Sequence, residues 1–139
     1  MLLINFSFDF VIVCVQILSV LFLAILFLQS GFDKIFDKKG NLDWLIAHFS
    51  NSPLKNIVYQ MFYIVTTVEI ISGILNTIGI FFLIRDGNTF YATLGVFFAC
   101  VTIIMLFFGQ RIAKDYAGAQ SLVSYFILSL MTLLLLSIN

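Results

Sequence analysis

The sequence predicts an all-α polytopic membrane protein: a bundle of four transmembrane helices, with a short amphipathic interfacial helix between the first and second. Three observations predict it. Hydrophobic residues make up 62% of the 139 and charged residues only 10%, against about 25% charged in soluble domains. Too few charges remain to cover a water-facing surface, and the mean hydropathy is +1.13. The apolar residues gather in four runs, each near the ~20 residues needed to cross the hydrocarbon core. The runs are continuous rather than alternating, which selects helices over the strands of a barrel.

The first span covers about residues 10 to 30, its apolar part broken only by Gln16 and Ser19 before Leu28. Met1 to Asp9 hold no Lys or Arg, and no small-residue cleavage site follows, so the run reads as a retained span rather than a signal peptide. The second span covers about residues 57 to 84 and is long enough to require tilt or a projecting end. Arg85-Asp86-Gly87-Asn88 turns into the third, about residues 90 to 108; the fourth covers about residues 117 to 138. Gly95 and Ala99 in the third span, and Gly118 and Ser121 in the fourth, allow close helix approach. The only long connection is the first. Within it Gly40-Asn41 can cap a new helix, Leu42, Leu45, Ile46 and Phe49 share one helical face, and Ser50-Asn51-Ser52-Pro53 ends it. That places the interfacial helix at about residues 41 to 50.

Lys34, Lys38, Lys39 and Lys55 lie in the first loop, Arg111 and Lys114 in the third, and Arg85 alone in the second. The positive-inside rule puts loops one and three in the cytoplasm and both termini outside. Net charge is zero, with no basic patch to engage nucleic acid. Cys14 and Cys100 fall in apolar runs at different depths, so neither a disulfide nor a zinc site is expected. With one histidine, His48, the chain offers no metal or haem ligand set, and no nucleophile–base pair: Asp43 and His48 point about 140° apart on a helix.

Glu69 is the most informative residue. It sits mid-span, where a carboxylate costs at least about 2.5–3.5 kcal/mol on insertion scales. Thr66, Ser72, Gly73, Asn76 and Thr77 lie within about 80° of it on a helical wheel, so span two carries one polar stripe that must face the bundle. The stripe reads either as a site for a polar headgroup, a quinone carbonyl or a proton, or as helix–helix glue. Lys34, at the mouth of the bundle, is the other candidate, with Arg111 and Lys114 at the same level as a basic rim or as ordinary snorkelling side chains.

Three segments give these residues a family context. Phe27-Leu28-Gln29-Ser30-Gly31-Phe32-Asp33-Lys34, then Glu69-Ile70-Ile71-Ser72-Gly73 with Gly79, then Gly118-Ala119-Gln120-Ser121-Leu122 resemble, in order and spacing, the motifs of the DoxX family of small bacterial membrane proteins. Val123 stands where the family has an Asp, so no role of that acid transfers. The long first loop looks like the version found in Bacteroidetes. The resemblance implies a four-helix inner-membrane bundle and raises the standing of Lys34 and Glu69. Some members of the family are the membrane subunit of thiosulfate:quinone oxidoreductase; the family has no agreed catalytic set.

The leading expectation is therefore an accessory subunit of a membrane redox complex that holds a quinone or lipid headgroup near Glu69. It has no covalent cofactor and no catalytic set of its own, so electron transfer would require a partner subunit. A scaffold or interaction protein, including a homo-oligomer, is the alternative. A small transporter ranks third, because only span two is polar in its middle and no span contains Pro.

Overall fold

The computed structural model of the protein describes residues 7–138. Met1 to Phe6, the start of the stretch without Lys or Arg, and Asn139 lie outside them. The described residues form α1 (Phe8–Phe36), α2 (Lys38–His48), α3 (Val58–Asp86), α4 (Phe90–Ile112), α5 (Tyr116–Ser121) and α6 (Val123–Leu136), with a 3₁₀ turn over Lys55–Ile57 and no strand among them. Four segments are long and apolar enough to cross a membrane: α1, the 3₁₀ turn with α3, α4, and α5 with α6. The chain is an all-α, multi-pass membrane protein.

The spans run longer than the apolar runs alone suggest. α1 continues past residue 30 to Phe36, and its last turn is held by Lys34, whose ammonium reaches back to the Ser30 carbonyl (3.3 Å). With its 3₁₀ turn, α3 covers 32 residues, about 48 Å at 1.5 Å per residue, so it exceeds a hydrocarbon core of about 30 Å and must tilt or project. It ends at Gly87, whose φ of 72° supplies the left-handed cap that turns the chain into α4.

The expected short helix between the first two spans is present but begins earlier than the Gly40-Asn41 signal indicates. Asp37 is its cap, accepting from the Gly40 N–H at 3.1 Å, so Gly40 and Asn41 lie inside the first turn. Asn41 instead donates to the Asp37 carbonyl at 2.9 Å. The helix stops at His48, before Ser50. Leu42 and Phe49 are buried and Leu45 half-buried, while Ile46 is 40% exposed, so the inward face is centred on Leu42, Leu45 and Phe49. The fourth span is two helices rather than one. The pattern breaks at Leu122, whose N–H bonds to Ala119 three residues back at 3.2 Å.

α3 is the central helix, packed against α1 on one side and α4 on the other; α6 closes the bundle against α4 and α1. Glycines set the two main seams. A Cβ on Gly73 would meet the Leu28 backbone N at 2.9 Å, and one on Gly95 would meet the Asn76 backbone N at 2.7 Å, so both backbones are already in contact distance. Gly118 serves a different need from helix approach: it leaves room for the Asp115 carboxylate, which caps α5 by accepting from the Gly118 N–H at 2.9 Å. Val20, Leu23, Phe27, Val96, Ile103 and Leu136 fill the apolar centre. The outward faces of all spans carry exposed Phe, Ile and Leu, as lipid requires. Gln16, buried in α1, donates to the Leu135 carbonyl (2.7 Å) and the Ile138 carbonyl (3.3 Å), satisfying the C-terminal end of α6.

Candidate functional site

The apolar seam between α1 and α3 is interrupted by one charged cluster. Lys34 Nζ lies 3.0 Å from Glu69 Oε2 and 3.2 Å from Oε1. Ser30 joins both: its hydroxyl accepts from Lys34 Nζ at 2.8 Å and donates to Glu69 Oε1 at 2.9 Å. Helical spacing places Ser30 and Lys34 one above the other on α1, facing the polar stripe of α3. Glu69 is 1% exposed and Lys34 16%. The carboxylate is thus sealed in the bundle, and the ammonium is the member that reaches outward.

The remaining stripe residues divide between two seams. Gly73 faces α1 through Leu28. Ser72 and Asn76 face α4: the Ser72 hydroxyl donates to the Gly95 carbonyl at 2.8 Å, and Asn76 Nδ2 donates to the Ser72 carbonyl at 2.9 Å. Asn76 Oδ1 is buried without a hydrogen-bond partner. Thr66 and Thr77 bond back to their own helix, at Phe62 and Gly73. Of the candidates on the stripe, only Glu69 joins Lys34.

Beside this cluster is a cavity of about 220 Å³ at the end of the bundle where loops one and three emerge. Lys34 is on its wall; Glu69 is not. α2 roofs it with Asn41, Trp44 and Leu45, and Phe49 follows; α3 supplies Met61, Phe62 and Val65, and α4 supplies Met105, Leu106, Gly109 and Gln110. The lining is therefore mostly apolar, with Lys34, Asn41, Trp44 and Gln110 as its polar members. Such a mixture suits an apolar molecule with a polar head. Arg111 and Lys114 are not part of the wall, and the Arg111 guanidinium sits over the Tyr116 ring at 4.5 Å.

His48 holds the roof in place. Its Nε2 is 2.7 Å from Gln110 Oε1 and 3.6 Å from Asp115 Oδ2, and its ring stacks on Trp44 with centroids 4.6 Å apart. An amide oxygen only accepts, so Nε2 is the donor in this arrangement. Neither Ser30 as the bridge nor Gln110 and Asp115 as partners of His48 emerge from sequence reasoning. The one available signal is the i,i+4 spacing of Ser30 and Lys34; the His48 contacts join residues 62 and more apart and leave none. No group of His, Cys, Asp and Glu that could hold a metal occurs among the described residues.

Compared with family models, with curated proteins and with solved structures, the chain matches none.

Proposed function

We propose that this protein is a DoxX-like membrane-embedded binding subunit that holds the polar head of a quinone or lipid in the cavity under α2, with Lys34 at its polar wall and Glu69 behind it. The observation that carries this reading is the position of Lys34: the one charged wall of an otherwise largely apolar cavity, set at the membrane end of the bundle. Glu69 acts on the ligand through Lys34, by fixing the ammonium in place. With the lysine-rich loops in the cytoplasm, the cavity lies on the cytoplasmic side of a bacterial inner membrane. Electron transfer to or from a bound quinone belongs to a partner subunit.

Native mass spectrometry of the gently solubilised protein tests this. Wild type should retain an amphiphile, and Leu106→Phe, which fills the cavity without touching the ion pair, should lose it. Protein that carries no adduct, or an adduct indifferent to that change, overturns the proposal. The scaffold reading has its own support: Ser72, Gly73 and Asn76 are spent on helix packing. It predicts bare protein and a co-purifying partner in the same experiment.

A further inference from the structure

We propose that the cavity takes a single-tailed amphiphile, whose tail leaves sideways into the bilayer through an apolar groove between α3 and α4. This rests on the head-binding reading above and adds the route and the tail.

A second cavity of about 200 Å³ adjoins the first, and the two share Met61, Val65, Met105 and Gly109 as walls. The second is bounded further by Leu54, Ile57, Ile64 and Phe108, all apolar. Ile57, Ile64 and Phe108 are 44%, 55% and 58% exposed on the lipid-facing surface of the bundle. So a polar-ended chamber under α2 continues into a wholly apolar groove that opens to lipid.

The junction lies at Gly109. A Cβ there would meet Phe49 of the roof at 3.5 Å and the Met61 methyl at 3.9 Å, so the missing side chain leaves the space between them. Met61 and Met105 are unbranched and flexible, and can swing aside for a passing chain. The groove's size limits the occupant. An apolar cavity of about 150 Å³ takes one benzene, so this groove of about 200 Å³ passes one hydrocarbon chain as it leaves the head, and the two chains of a phospholipid, which leave their head side by side, do not fit it together. Lipid is as apolar as the groove, so the tail gains little by sitting there. The groove matters because a head cannot seat under α2 unless its tail has a way out.

The probes are a benzoquinone without a tail and the same ring with a ten-carbon tail, added to protein in detergent micelles. Trp44 is the only tryptophan in the chain and lines the cavity but is also 57% exposed, so occupancy is read as the saturable part of its quenching that Leu106→Phe abolishes. Wild type should bind both. Gly109→Leu should weaken the tailed probe by about 5- to 150-fold, the range that overpacking costs, relative to its effect on the tailless one. Ile64→Phe, which belongs to the groove alone and is exposed enough to leave folding intact, should show the same selectivity. Equal effects on both probes in both variants overturn the tail route while leaving the head site standing. Failure of both probes to quench wild type overturns the head site itself. Displacement of the tailed probe by diacyl phosphatidylglycerol as readily as by its lyso form overturns the single-tail assignment.

Discussion

Removing Lys34 should cost more than removing the charge of Glu69, although the two residues form one ion pair. Lys34→Met leaves a carboxylate that is 1% exposed, with Ser30 as its remaining hydrogen-bond partner. Breaking a buried pair this way costs about 3–5 kcal/mol, because the charge left behind has neither counter-ion nor water. Glu69→Gln leaves an ammonium that is 16% exposed at the end of α1, still bonded to Ser30 and able to extend towards the interface. The loss there is about 1.5–3 kcal/mol, one hydrogen bond to a charged group. Joint replacement, Lys34→Met with Glu69→Leu, should recover most of the loss, since no charge remains to be stranded. The assay is reversible denaturation of the purified protein in micelles, with Glu69→Leu measured as a further single variant so that it, Lys34→Met and their double close a cycle that gives the coupling. Equal and small losses for Lys34→Met and Glu69→Gln, or simple additivity in the double, would refute the assignment of a sealed, mutually dependent pair.

Two other outcomes follow from named contacts. Gln16→Leu should destabilise by about 0.5–1.5 kcal/mol, a net hydrogen bond, because the Leu135 carbonyl keeps only the Ile138 N–H at 3.2 Å and the Ile138 carbonyl loses its side-chain partner; hydrogen exchange should show the last turn of α6 opening first. His48→Ala removes the contacts to Gln110 and Asp115 that tie α2 to the third loop; exchange protection and protease resistance should fall in α2 by about tenfold or more, the effect of losing about 1.4 kcal/mol, with the four spans unchanged.

Much of this architecture is written along the chain. Spans, loops and the short helix α2 follow from local runs and from periodicity, and each span is marked by twenty or so neighbouring residues that must all avoid water. The polar stripe of α3 is equally local, since it needs only the 3.6-residue repeat. Where boundaries shifted, side chains decided them: Asp37 outcompeted Gly40-Asn41 as the cap of α2 because its carboxylate could accept the Gly40 N–H, a contact that composition does not reveal.

The candidate site was legible only in part. Lys34 and Glu69 each stand out by type and position, yet 35 residues separate them, and nothing local says that one answers the other. Gly31 and Gly73 help decide it by letting α1 approach α3 closely, against Ile70 and Leu28, and the register of that seam puts Lys34 opposite Glu69. The same packing sends Ser72 and Asn76 to the α4 seam and away from the cavity under α2. By itself the sequence determined which segments enter the membrane, because the cost of exposing or burying each residue is largely its own. Only the tertiary structure decided which polar groups meet and where space is left, because those depend on how two helical surfaces fit and not on either one alone.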